Sequence, residues 1–434
     1  MNDHLWMRLI GAGLVVSTAA CSVDNLLSVP TPDLVPASSI ETPSNALLLV
    51  NSTINDFDCA FSNYAVAAGT IGPEIVWGDN NSFDLDRHTE TASTGQWTGT
   101  CSGGVDQGGP AIYTALSIAR GDGDRVHSLL SGWTDAQVPN RRALLATASA
   151  YAGYSYLLLG EAMCTAAIDL SAPLSRDSLW AIAVQRFSTA ITEATAASNT
   201  SILVMAYAGR ARARVNLGGI TSGTTARNAA TLAQAATDAG QVPAGYVQNA
   251  TFAGVSWVSS NQTYQWITNQ ARATIDSSYW NLTYGGVPDP RVSLTFTGLQ
   301  TLNGATLVEP NKYPNATAPQ AIAKWSEAQL IIAEADLATG NTTGAIAVFN
   351  ALHANAGLPP YSGATDATSV RTQLIDERRR ELFLESQILE DLIRFQIPLT
   401  PPAGTPYPRG GGFYGSATCV PLPTIEGLGN PNAA

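Results

Sequence analysis

Between residues 376 and 394 the chain gathers the carboxylates Asp376, Glu377, Glu381, Glu385, Glu390 and Asp391 beside Arg378, Arg379, Arg380 and Arg394. Two carboxylates facing one cleft are what hydrolysis of a glycosidic bond requires. The spacing also has a plainer meaning. Glu390 and Arg394 stand four residues apart and Arg378 and Glu381 three apart, and such pairs brace a helix. We read the stretch as a structural helix. Other catalytic parts are scarce, since after the first 20 residues the histidines are His88, His127 and His353. There is no G-x-S-x-G, H-E-x-x-H or Walker loop, and GGVDQGG and RGGGF lack the Lys and following helix that phosphate binding needs. The expectation is a protein that is not an enzyme and carries no cofactor.

Metal binding is equally short of ligands. In DNNSFDLDRHTE, Asp79, Asn81 and Glu90 fit an EF-hand spacing, but Phe83 and Asp84 stand where a ligand and the turn glycine belong. A polar surface loop is the better reading, so no metal site is expected. Aromatic residues offer more. Trp77 and Trp97 flank that loop, and Trp257, Tyr264, Trp266, Tyr279, Trp280 and Tyr284 crowd a later segment rich in Gly, Asn and Thr. A neutral sugar presents apolar C–H faces ringed by hydroxyls and is held by stacking on open aromatic rings. Trp97, Trp280, Tyr284, Trp77 and Trp266 are therefore the candidate ligand-binding residues. The competing role, filling the core, suits Trp180 and Trp325, which sit inside helical patterns.

The N-terminus carries a different chemistry. Arg8 precedes an apolar run over residues 9–16, and Ser17, Thr18, Ala19 and Ala20 lead to Cys21. That order fits a signal peptide of residues 1–20 closed by a lipobox, with Cys21 as the lipid attachment point. A start at Met7 gives a more basic leader, and Thr18 stands where such boxes usually place Leu. Residues 21–43 are polar and Pro-rich and read as a tether. Cys59, Cys101, Cys164 and Cys419 remain, an even number that suggests two disulfides with three connectivities open. They are too scattered for a zinc site. No later apolar run reaches the roughly 20 residues that span a bilayer.

The elements that must position these residues are mainly helical. Charged residues make up 13% of the chain, against about 25% usually, and the net charge of −12 argues against nucleic acid as a partner. Helical periodicity covers residues 46–66, 111–130, 140–163, 179–197, 204–218 and 224–240, with Asp177 as a cap for the fourth. It returns at 321–340, 342–358 and 370–395. Ala183, Phe187, Ala190 and Ala194 share one helix face, and Ala226, Ala229, Ala233 and Ala236 another. Small residues at this spacing let helices approach closely, as in tetratricopeptide pairs. Residues 241–317 lack helical period and read as loops with short strands, where binding is common. One domain over 44–434 is expected, with helical repeats at about 44–240 and 318–395.

Four segments in order carry a resemblance to the SusD/RagB-like nutrient-binding outer-membrane lipoproteins. DPRV at 289–292 resembles that family's Asp-Pro-Arg turn, and KWSEAQLIIAEADLATGN at 324–341 its "aEa.Ll.AEa" helix. IDERRRELFLESQILEDLIRF at 375–395 is similar to its "i..ER..EfafEg.R..DLiRw" helix, and VPLPTIEGLGNPN at 420–432 to its closing "PIP..Ei..NPn". Gln387, Ile388 and Leu389 depart from aromatic or Arg positions of the pattern, as do the cysteines after Cys21. The resemblance implies a mainly α, SusD-like fold in which the charged helix is a fold element. It further implies a lipid-anchored, surface-exposed protein of the cell outer membrane. Such a protein passes an oligosaccharide or peptide ligand to a SusC-like TonB-dependent transporter. Within it, Trp97, Trp280 and Tyr284 are the first candidates for ligand contact. A tetratricopeptide scaffold binding only proteins is the rival from another class.

Overall fold

The computed structural model describes residues 36–78, 101, 112–406 and 413–433. The chain divides into a unit ending at Thr42 and a unit of residues 43–434. Within the first, Ala37–Ile40 (α1) is a single helical turn closed by the Glu41 N–H on the Ala37 carbonyl at 2.7 Å.

The second unit is mainly helical, as the sequence periodicity leads one to expect. It opens with Ala46–Ile71 (α2), Ile75–Trp77 (β1), Tyr113–Gly132 (α3) and Arg141–Ala162 (α4). A small hairpin, Thr165–Ala166 (β2) with Leu174–Ser175 (β3), precedes Arg176–Ala196 (α5), Thr200–Gly218 (α6) and Ala229–Ala239 (α7). From α3 to α7 each helix packs chiefly against its neighbours in sequence, the arrangement of tetratricopeptide repeats. Ala183, Phe187, Ala190 and Ala194 all lie in the core. Two expectations need correction here. The α5 cap is Ser175, whose Oγ accepts the Ser178 N–H at 3.2 Å, and Asp177 lies in the first turn. In α7 the buried stripe is Leu232, Ala235, Asp238 and Ala239, while Ala229 and Ala233 are exposed. Asp238 fixes that rotation by pairing with Arg210 and Arg214 of α6.

The loop-rich insert holds short antiparallel ladders. Val247–Ala250 (β4) pairs with Gln320–Lys324, and the turn Gln262–Tyr264 (α8) runs into Gln265–Asn269. Ala273–Ile275 (β5) pairs with β1 in the register Ile75 to Ile275. Two hairpins follow, Thr283–Tyr284 (β6) with Val287–Pro288 (β7), and Leu294–Gln300 (β8) with Thr306–Pro310 (β9). Gln320–Lys324 (β10) leads to Trp325–Ala338 (α9), Thr342–Ala356 (α10), Ala367–Glu381 (α11), Ile388–Arg394 (α12) and Thr424–Gly429 (α13). Residues 370–395, expected as one helix, are thus two. The chain leaves helical geometry after Glu381, with positive φ at Leu384 (59°) and Ser386 (69°). Long side chains take up the freed backbone groups: Lys324 donates to the Glu381 carbonyl, Lys312 to that of Phe383 and Gln320 to that of Leu384. The carbonyls of residues 381–384 thus all accept hydrogen bonds across the break, that of Leu382 from the Glu385 N–H.

Both expected disulfides form, joining Cys59 to Cys101 and Cys164 to Cys419. The second pins the C-terminal segment beside α4, where the Val420 N–H donates to the Ala162 carbonyl at 2.8 Å. Among the described residues no helix is long and apolar enough to cross a membrane.

Candidate functional site

An aromatic surface grows out of the end of β5. The Asp276 carboxylate caps a turn by accepting the Ser278 N–H at 2.8 Å, and the Asp276 N–H donates to the Glu74 carbonyl at 2.9 Å. The two aromatic residues at the end of this turn differ in burial. Tyr279 is fully buried, stacked on Phe383 with ring centroids 4.8 Å apart. Trp280 is half-buried at the margin of the core. Its indole N–H donates to the Ile275 carbonyl at 3.0 Å, and its ring meets the edge of Phe296 at 5.4 Å and 80°. With its one polar atom satisfied by backbone and its ring wedged by Phe296, Trp280 is pre-oriented. Phe296 is 47% exposed, and Leu299 and Leu302 of the same hairpin are 64% and 63% exposed. β8 carries no charge, so its outer edge is apolar and open.

Tyr284 follows on the β6–β7 hairpin. Gly285 and Gly286 supply its two turn residues with φ of 55° and 82°, the conformation a two-residue hairpin demands. The Tyr284 ring packs on His353 at 4.2 Å, and His353 shares a 2.6 Å hydrogen bond with Glu377. Burial, with Glu377 nearby, pushes the Tyr284 hydroxyl up to about 12, so it remains a donor at neutral pH. Tyr284 is half-buried, with one face on protein.

The charged stretch holds the hairpin of Tyr284 in place. Asp289 accepts from the Arg291 backbone N–H at 3.1 Å and from its guanidinium at 3.0 and 2.8 Å. Arg291 also reaches Glu377 and Glu381, and Arg380 ties Asp289 to Asp376 and to the Thr283 carbonyl of β6. Burial works to raise the Asp289 carboxyl, but the Arg291 guanidinium outweighs it and holds the group below its usual range. The pairs expected from spacing, Glu390 with Arg394 and Arg378 with Glu381, are replaced by others, mostly between elements. Glu390 pairs with Arg176, Glu381 with Arg291, and Arg394 with Glu334 and Asp391. Each carboxylate of the stretch pairs with a cation.

The remaining candidates fall in two groups. Trp77 and Trp266 are 1% and 2% exposed, packed on each other at 4.9 Å, with Trp257 edge-on to Trp266 at 4.9 Å. Stacking requires an open face, so we correct both to core residues. Trp97, Cys21 and the loop beginning at Asp79 lie outside the described residues. Among the described residues no group of His, Cys, Asp and Glu could hold a metal ion. Sequence reasoning missed Phe296, Leu299 and Leu302. The available signal was LTFTGLQ, a strand pattern with apolar residues and no charge to protect its edge.

Residues 246–416 match the sequence model of the SusD family. No curated protein matches the chain. Solved structures do. A SusD superfamily protein from Bacteroides vulgatus aligns with a TM-score of 0.67 at 14% identity, over 90% of this chain and 98% of its own. A SusD homolog from Bacteroides thetaiotaomicron gives 0.67 at 13% identity over 92% and 98%. A SusD-like carbohydrate binding protein from Bacteroides vulgatus gives 0.60 at 15% identity over 90% and 97%. Over residues 246–416 the chain resembles the SusD family in sequence, and its fold is the SusD-like fold.

Proposed function

We propose that this SusD-like chain captures a nutrient oligosaccharide and delivers it to a SusC-like TonB-dependent transporter of the outer membrane. The observation that carries the reading is Trp280. Its ring is exposed in part, its N–H is locked to the Ile275 carbonyl, and Phe296 fixes its orientation. Such a ring offers a face to a sugar without a large ordering cost. Tyr284 adds a hydroxyl donor, and Trp97 supplies a further aromatic beside the polar loop. The carbohydrate binding named for one structural relative supports the ligand class. Binding without bond cleavage accords with carboxylates of the charged stretch that each pair with a cation. In this reading Cys21 carries the lipid and residues 21–43 tether the domain, which begins near residue 44, to the membrane. The helical repeats supply a pre-formed face for the transporter.

An array of plant, algal and host oligosaccharides, with a peptide panel alongside, tests the proposal. Saturable binding to a glycan that Trp280→Ala reduces at least about tenfold, and that Trp266→Phe leaves unchanged, is the expected result. Binding to peptides alone would move the ligand class. Absence of binding to either panel by folded protein would favour the scaffold role.

A further inference from the structure

We infer that a second cleft, between α11, α12 and the segment after α12, binds an apolar group that carries a carboxylate. The cleft encloses about 250 Å³. Its apolar walls are Pro73, Ile375, Ile388, Leu392, Ile397 and Pro398. An apolar cavity of about 150 Å³ accommodates benzene, so this one takes a phenyl or branched aliphatic group with room for a short polar head.

Two charged residues line the cleft, Asp391 and Arg379. Asp391 is committed, accepting from Arg378 at 2.8 Å and from Arg394 at 3.1 Å. Arg379 differs from its neighbours. Arg378, Arg380 and Arg394 each pair with a carboxylate. Among the described residues Arg379 has no such partner; it donates to the Ser278 carbonyl, and its guanidinium lies 4.2 Å over the Tyr279 ring. A guanidinium has five N–H donors in a fixed fork, of which the Ser278 carbonyl takes one and the Tyr279 hydroxyl lies in reach of another. The ring below and the Ser278 bond hold the fork still beside the apolar walls. A carboxylate is its natural complement, in the two-point geometry that makes such pairs strong. Ile388, one of the positions where the chain departs from the resembled family's pattern, forms part of the wall. The inference stands apart from the aromatic surface and does not rest on the glycan proposal.

The same chemistry is offered by the C-terminal residue of a peptide and by a free aromatic acid. Calorimetric titration of the purified full-length chain with hydrocinnamate, its primary amide, Gly-Gly-Phe and the Gly-Gly-Phe amide separates them. At least one acid should bind saturably, and its amide about tenfold or more weaker. Arg379→Gln should erase that difference, Arg379→Lys should keep part of it, and Ile388→Phe, which fills the cleft, should abolish binding. Binding of Gly-Gly-Phe alone assigns the peptide source, and binding of both acids shows that the free acid suffices. Equal affinity for acids and amides, or no binding of any probe to protein with an unchanged melting temperature, would overturn the inference.

Discussion

Glu74 shows what a single buried residue does to this protein's response to pH. One carboxylate oxygen accepts the Leu384 N–H at 3.1 Å, and the other is buried without a partner. Burial pushes the group from 4.5 up to about 8, against the smaller pull of that N–H and Lys312. The unfolded chain releases the proton near 4.5 and the folded chain keeps it to about 8, so stability falls as pH rises through that window. Glu74→Gln keeps the acceptor and cannot ionise. Denaturant unfolding at both ends of the window should show the variant gaining on the native protein as pH rises; parallel curves would contradict the assignment. The inward or outward choice of each aromatic was only partly legible in sequence. Ile75 and Trp77 alternate around Val76 as a strand does, which places both in the core, but the polar loop beside Trp77 suggested a surface. Tyr279 ends a turn capped by Asp276 and Trp280 follows it, so the two differ in burial, and composition carries no trace of that.

At the scale of elements, the helical half was readable because its small residues recur at helical spacing, and Phe187 of α5 shows why they must be small. A side chain at Gly209 of α6 would run into Phe187 and Tyr154. Gly209→Ala should therefore cost about 1–3 kcal/mol through overpacking, measured by urea unfolding, while ligand affinity stays unchanged. A loss below the measurement error would mean that the helices have slack. The break between α11 and α12 was not readable. It depends on Lys324 and Lys312, which lie 57 and 71 residues from the carbonyls they satisfy. Periodicity within the segment cannot register partners so remote. The same holds for Glu385, where burial works to raise the carboxyl and the Lys312 and Lys324 ammoniums hold it low. The sequence marked these charges as structural, but their partners come from other elements.

For the molecule as a whole, cysteine arithmetic announced two cross-links and could not pair them, since three connectivities have equal standing without coordinates. The links close loops of 42 and 255 residues. By loop entropy they contribute about 4 and about 5 kcal/mol, so reduction should lower the melting temperature in scanning calorimetry, and an unchanged transition would contradict that contribution. The SusD-like architecture was legible from four motifs, two of which the ion-pair network joins: the Asp-Pro-Arg turn and the charged stretch are two sides of one contact. The site was less legible, because Phe296 and its hairpin join Trp280 only in three dimensions. The central claim, capture by a pre-oriented tryptophan, is tested most directly by calorimetric titration of the best array glycan into native protein, Trp280→Phe and Trp280→Ala. The account predicts that Phe, which keeps a stacking face, binds within a few-fold of native and that Ala binds at least about tenfold more weakly. Native affinity in Trp280→Ala would contradict it.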